Sequence, residues 1–349
     1  MKIAVTGGAG FLGYHIANIL SRRGNDMLLL DVAPFHEEDY EGSGPGNVTW
    51  DHADVRDQDA MDRLLKGMDV VIHAAAALPL WAAKDIYTTN ISGTITTLRA
   101  ARKNKAERVV YVSSTAVYGV PEHHPLYETD ELIGVGPYGN SKIRAEEMCL
   151  VARDKGMVVP IIRPKTFIGT GRLGVFQILY DWVESGKRIP VLGNGNNHYQ
   201  LLEVEDLVNA IYLAATCPAD KANDTFNVGA KRYNTVREDV GEMCDYAGTG
   251  ARVMSTPAGL IKPALAFFEA IHLSPLYKWV YGTADKDSFV STEKIEKTLG
   301  WEPKFSNADA LIRSYQWYLD HKDELETGTG VTHRIAWDQG ILKYFKRFM

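Results

Sequence analysis

Apolar positions change period in a regular way along this chain. The run Lys2–Thr6 is short and apolar, Gly7-Gly8-Ala9-Gly10-Phe11-Leu12-Gly13 follows, and Ile16, Ile19 and Leu20 then recur at helical spacing. Strand, glycine turn and helix are predicted in that order. The alternation repeats through short apolar runs at 27–30, 48–50 and 70–72, a helical stretch carrying Asn90, Gly93 and Thr94, and a run at 108–112. Strands alternating with helices predict an α/β fold, a parallel doubly wound sheet with its site at the C-terminal ends of the strands.

Chemistry-bearing residues fall at those strand ends. Gly8, Gly10 and Gly13 satisfy G-x-G-x-x-G, and Gly7, Gly10 and Gly13 satisfy a wider variant. Such glycines let the backbone approach a pyrophosphate and leave free N–H groups of a helix N-terminus facing it. Asp31 ends the next run, about 20 residues on, where a dinucleotide site requires a carboxylate. A carboxylate there accepts from a ribose 2'-OH and repels a 2'-phosphate, so NAD is expected rather than NADP. Arg22 and Arg23 precede it; they read either as phosphate ligands or as a solvated helix C-terminus.

Composition narrows the class. The 349 residues carry a net charge of -6, with 45% hydrophobic and 23% charged residues, which suits a soluble globular protein of one or two domains with a sizeable core and gives no sign of a polybasic nucleic-acid binder. Cys149, Cys217 and Cys244 are odd in number and far apart, as in reduced thiols of a cytoplasmic protein, and no metal site is expected. The chain enters directly into its first strand, so no secretory leader is expected. No run approaches the ~20 apolar residues of a membrane span.

The stretch Tyr138-Gly139-Asn140-Ser141-Lys142 places a phenol and an ammonium four apart, on one face of a helix. A fixed positive charge favours the phenolate and brings a tyrosine toward proton exchange near neutrality. Pairs at this spacing also occur on ordinary exposed helices. Their meaning depends on what surrounds them.

Taken together, Thr6 to Gly13, Asp31, Asp54-Val55, His73 to Ala76, Asn90 with Gly93-Thr94, Ser113 to Gly119 and Tyr138 to Lys142 resemble the extended short-chain dehydrogenases/reductases. That group includes nucleotide-sugar epimerases, sugar dehydratases and 3β-hydroxysteroid dehydrogenase-like enzymes. The resemblance covers roughly the first 320 residues and implies a Rossmann-type domain with a smaller C-terminal substrate domain. Domains are accordingly expected at 1–165 with 200–230, and at 166–199 with 231–320, followed by a tail at 321–349.

The resemblance also implies roles. Tyr138 exchanges the proton with a substrate hydroxyl or carbonyl, Lys142 holds the nicotinamide ribose and favours the phenolate, and Ser114 hydrogen-bonds the same oxygen. NAD would be held by Gly7, Gly10, Phe11, Leu12, Gly13, Asp31, Asp54, Val55, Ala74, Ala75, Ala76, Asn90, Lys142 and Pro164. Asn90 reads equally as a structural residue or as a support for Lys142, and Ser113 reads as a buried strand-end hydroxyl. Relatives commonly dimerise through the helices corresponding to 85–103 and 141–155, so a homodimer is expected by analogy.

Substrate signals diverge. Sugar dehydratases of the group carry an Asp-Glu pair directly after the hydroxyl residue, where this chain has Thr115 and Ala116, so dehydration is disfavoured. Epimerases that bind a nucleotide diphosphate carry an Asn and two arginines where this chain has Thr166, Tyr199 and Tyr281. His198, Lys165 and Arg172 stand nearby in sequence as substitutes. The apolar, proline-interrupted stretch 257–282 resembles the substrate-domain helix of 3β-hydroxysteroid dehydrogenase-like relatives. It reads as the wall of a lipophilic pocket, a peripheral membrane contact, or an ordinary amphipathic helix. The tail, with Trp337, Ile341, Leu342, Phe345 and Phe348 beside Lys343, Lys346 and Arg347, reads as a lipid or partner contact or as a segment packed on its own protein. On sequence, the first expectation is an NAD-dependent oxidoreductase acting at a secondary alcohol or ketone of a small molecule. A sugar or nucleotide-sugar epimerase is the alternative, and a non-catalytic NAD-sensing module stands further off.

Overall fold

The computed structural model describes residues 1–40, 44, 46–79, 81–270, 282–325, 327–328, 336–337 and 346. Its strands, in chain order, are β1 Lys2–Thr6, β2 Asp26–Asp31, β3 Val48–His52, β4 Val70–His73, β5 Arg108–Val112, β6 Ile161–Pro164, β7 Thr166–Ile168, β8 Arg188–Leu192, β9 Leu201–Glu203, β10 Thr225–Val228 and β11 Arg252–Thr256, with two-residue pieces β12 Thr327–Gly328 and β13 Ala336–Trp337.

Seven of these form one sheet in the order β10-β6-β5-β4-β1-β2-β3. Every pairing in it is parallel. The order reverses beside β1, between β4 on one side and β2 on the other, which opens the crevice where a doubly wound sheet takes its ligand. Central strands β1 and β4 bury Ile3, Ala4, Val5, Val70, Val71 and Ile72 completely, as a sheet covered by helices on both faces demands. This is the α/β doubly wound fold expected from the alternation of strands and helices.

The chain divides into two compact units. The first comprises Met1–Lys165, Val204–Val228 and Val290–Pro303; the second comprises Thr166–Glu203, Gly229–Phe289 and Lys304–Met349. Residues 290–303, assigned on sequence to the substrate domain, belong to the first unit for a packing reason. Trp301 is fully buried there, donating its indole N–H to the Asp206 carbonyl at 3.0 Å, and the Ser291 amide reaches the Leu126 carbonyl at 2.8 Å.

The second unit has its own parallel pairs, β8 with β11 and β7 with β9. An aromatic core holds Tyr180, Trp182, Tyr315 and Tyr318. Its helix Ala258–Ala270 begins the apolar stretch noted above and exposes Leu260 and Phe267. Residues 271–281, including Tyr281, lie outside the described residues, as does most of the tail. Among the described residues no helix is long and apolar enough to cross a membrane.

Candidate active site

Parallel pairing brings the C-terminal ends of β1, β4, β5 and β6 side by side, and with them Gly7, Ala74 to Ala76, Ser114 and Pro164. The glycine turn is packed against β4. Gly7 has φ +76°, and a Cβ there would stand 2.8 Å from the Ala75 amide nitrogen. At Gly13 a Cβ would stand 2.3 Å from the Gly7 carbonyl oxygen, so only glycine lets the first helix sit this close to the turn.

That helix, Phe11–Arg22, starts from Gly10 with no side-chain cap on its first N–H groups. Asp31, at the end of β2, accepts from the Ala9 amide at 3.1 Å and from the Ala33 amide at 3.0 Å, which ties the turn to the carboxylate. An uncapped helix start, a turn stripped of side chains and an adjoining carboxylate form a cradle that fits a dinucleotide. Phe11 and Leu12 are buried behind it.

Asp54 is partly committed. Its carboxylate accepts from the Arg56 guanidinium through Nε at 2.9 and 3.0 Å, and this hydrogen bonding holds its pKa below the usual carboxylate value. Val55 is buried beneath Gly93, where a Cβ would stand 2.6 Å from the Val55 Cγ2.

The helix Gly136–Asp154 carries Tyr138 and Lys142. Pro137 in its first turn lacks only an N–H that the helix start leaves unused. Lys142 is 2% exposed; its Nζ donates to the Val112 carbonyl at 2.9 Å and lies 5.0 Å from the Tyr111 ring centroid and 5.9 Å from that of Tyr138. Burial pushes the Lys142 pKa down to about 8, against the pull of Glu146. The lysine thus stands between the last carbonyl of β5 and the tyrosine one turn before it on the helix. Ser114, two residues beyond Val112, caps the 3-10 turn Thr115–Tyr118 by accepting from the Ala116 amide at 3.1 Å.

Asn90 does not lie in a regular helix. The stretch expected as one helix is divided into Ala83–Tyr87, a π-helical turn Thr88–Ser92 and Gly93–Lys103. Such a turn spaces the side chains differently from an α-helix and is common at functional sites. Here Asn90 is buried, accepts from the Ala77 amide at 2.8 Å and donates to the Ser141 hydroxyl at 2.9 Å. Ser141 in turn donates to the Tyr138 carbonyl at 2.8 Å. Asn90 is thus bonded to the turn that bears Tyr138 and Lys142.

Behind Lys142 lies a buried ion pair. Glu146 accepts from Arg163 through Nη2 at 2.6 Å and from Ser113 at 2.5 Å, and Arg163 also donates to the Tyr118 hydroxyl at 2.8 Å. Ser113 therefore serves the helix packing. Sequence reasoning overlooked Ser141, Glu146 and the contacts of His73, although the hydroxyl beside Lys142 and the carboxylate one turn further were visible signals. Among the described residues no cluster of three metal-binding side chains occurs.

The fold and this cradle define a dinucleotide-dependent enzyme of the extended short-chain dehydrogenase/reductase type. The family model described as the NAD dependent epimerase/dehydratase family matches residues 3–229, and the chain belongs to that family, with NAD as cofactor. It is 35% identical over 343 residues to the uncharacterized protein y4nG of Sinorhizobium fredii, covering 97% of this chain and 84% of that one. A UDP-glucose 4-epimerase of Halalkalibacterium halodurans is 27% identical over 355 residues, covering 92% of this chain and 96% of that one. Among solved structures, UDP-glucose 4-epimerase of Thermotoga maritima with UDP-glucose shares the fold at a TM-score of 0.76 and 22% identity, covering 92% of this chain and 100% of that one.

Proposed function

We propose that the protein is an NAD-dependent epimerase acting on a secondary carbinol of a sugar, linked to a nucleotide as in its named relatives. The observation that carries this reading lies in the two residues directly after Ser114. Thr115 spends its hydroxyl on the Pro164 carbonyl at 3.3 Å and Ala116 carries no polar group, so the acid and base for eliminating water are missing at those positions. A carbinol oxidised beside them has no carboxylate there to drive loss of water, and reduction back at the same carbon remains the open course. The dehydrogenase expected first on sequence uses the same proton chemistry, but the relatives named as epimerases favour the alternative.

In this reading Tyr138 takes the hydroxyl proton at the reacting oxygen and later returns it, with Ser114 bonded to the same oxygen. Lys142 favours the phenolate and holds the nicotinamide ribose. Gly7, Gly10 and Gly13, with the Phe11 and Leu12 amides, would hold the pyrophosphate, Asp31 the adenosine ribose, Asp54 and Val55 the adenine, and Ala74, Ala75, Ala76 and Pro164 the remaining walls. NAD, when bound, supplies reversible hydride transfer at carbon. Exposed Leu150 and Val151 on the helix Gly136–Asp154 support a homodimer through that helix.

Incubation of the purified protein with a panel of nucleotide sugars tests the function. The expected result is a product epimeric at one carbon without accumulation of free NADH. Stoichiometric NADH release, with hydroxysteroid-like alcohols as the better substrates, would reinstate the dehydrogenase.

A further inference from the structure

His73 ends β4 in the first unit and is 1% exposed. Its ring is bonded on both sides. The Thr6 hydroxyl, at the end of β1, lies 2.7 Å from Nδ1, and the Thr94 hydroxyl lies 3.0 Å from Nε2. The direction of each bond follows from the neighbours. Thr94 donates its proton to the Asn90 carbonyl at 2.7 Å, so toward His73 it accepts, and Nε2 carries the hydrogen. Nδ1 then accepts from Thr6, which itself accepts from the Ala75 amide at 3.3 Å. Beyond Asn90 the chain continues through its side-chain amide to Ser141, and from Ser141 to the Tyr138 carbonyl. The bonds point one way from the Ala75 amide to the Asn90 carbonyl, and again from the Asn90 side-chain amide to the helix turn of the Tyr138–Lys142 pair, the two segments being joined by the Asn90 residue itself.

We propose that His73 is a positioning residue for Tyr138 and Lys142, the middle link of a hydrogen-bond relay that joins the end of β1 to the catalytic turn. The inference rests on the catalytic reading of that pair. A protonated ring would offer two donors and break the order at Thr6. Burial and the nearby Lys142 charge press the His73 pKa down to about 3, which keeps the ring neutral at physiological pH. Glutamine can keep the order, with an amide oxygen to accept and an amide N–H to donate, whereas leucine removes both.

The test uses full-length, NAD-loaded protein labelled with 13Cζ-tyrosine, the Tyr138 resonance being identified by its loss in Tyr138→Phe. Its pH titration is compared among wild type, Lys142→Met, His73→Leu and His73→Gln. With the relay cut, the tyrosine and the ammonium lose their fixed spacing. In His73→Leu the Tyr138 midpoint is therefore expected to move upward by about half a pH unit or more, and in His73→Gln to return toward wild type. Should His73→Leu fail to fold, Thr94→Val cuts the same link at nearly constant shape, and the same upward shift is expected. If Lys142→Met leaves the midpoint in place, the catalytic reading of the pair fails. If Lys142→Met moves it while His73→Leu, or Thr94→Val in its stead, leaves it at the wild-type value, the relay alone is overturned and His73 is only a core residue.

Discussion

The hydroxyls of Thr166 and Tyr199 stand 3.3 Å apart in the second unit. These are two of the positions at which diphosphate-binding epimerases of the resembled group carry an asparagine and an arginine. Burial raises the Tyr199 pKa, against the Thr166 hydrogen bond, so the pair is uncharged at neutral pH. A neutral contact therefore stands at the two positions where the resemblance implies an asparagine and an arginine. The two departures were visible in the sequence; their contact was not.

Restoring the charge has an expected consequence for nucleotide affinity. The double substitution Thr166→Asn with Tyr199→Arg is expected to tighten UDP binding by about tenfold or more, since a charge-assisted bond contributes ~1.5–3 kcal/mol. Isothermal titration of wild type and variant with UDP reads this directly. An unchanged dissociation constant would mean that this pair lies away from the diphosphate.

Removing the proton carrier should separate chemistry from cofactor binding. Tyr138→Phe is expected to retain NAD while lowering turnover by about a hundred- to ten-thousand-fold, and Ser114→Ala to lower it less, because the serine only supports the reacting oxygen. Retained cofactor is read by native mass spectrometry and turnover by sugar-nucleotide interconversion. Full activity in Tyr138→Phe would remove the tyrosine from the mechanism.

How far the sequence disclosed all this varied with the range of the interaction. The alternation of apolar runs and helical periods sufficed for the doubly wound sheet, because each strand declares itself within a few residues. Gly7 and Gly13 were legible because neither a turn this close to the residues after β4 nor a helix this close to the turn admits a side chain. The π-helical turn within the helix through Asn90 was not legible, since such a turn leaves no periodic signature and is held by Ala77 and Ser141 from elsewhere in the chain. The pairing of Glu146 with Arg163 was hidden for the same reason: the partners stand 17 residues apart and meet only when β6 packs on the helix. Nothing local marks Trp301 as a core residue of the first unit rather than the second.

That ion pair predicts a large penalty for breaking it. The Arg163 and Glu146 side chains are 6% and 3% exposed, so either charge left alone would be buried without compensation. Glu146→Gln or Arg163→Met is each expected to cost about 3–5 kcal/mol. The double variant Glu146→Gln with Arg163→Met is expected to cost less than the sum. Urea unfolding of the four proteins closes the cycle, and additive losses would show that the two groups are not coupled.

Lys165 offers a pH-dependent test of burial in the first unit. The residue is 4% exposed at the end of β6, and burial lowers its pKa from 10.5 to about 7. Between about pH 7 and 10.5 the unfolded chain therefore holds a proton that the folded chain has released, so this group makes stability rise with pH across that window. Below it both states are charged and the folded state bears the net cost of holding the buried charge; above it both are neutral and that cost is gone. Lys165→Met should thus be more stable than wild type at pH 6, on the order of a few kcal/mol, with the advantage shrinking steadily toward pH 10. Urea unfolding at pH 6, 8 and 10 measures the difference. Parallel stability curves for the two proteins would show that Lys165 keeps its charge in the folded state throughout.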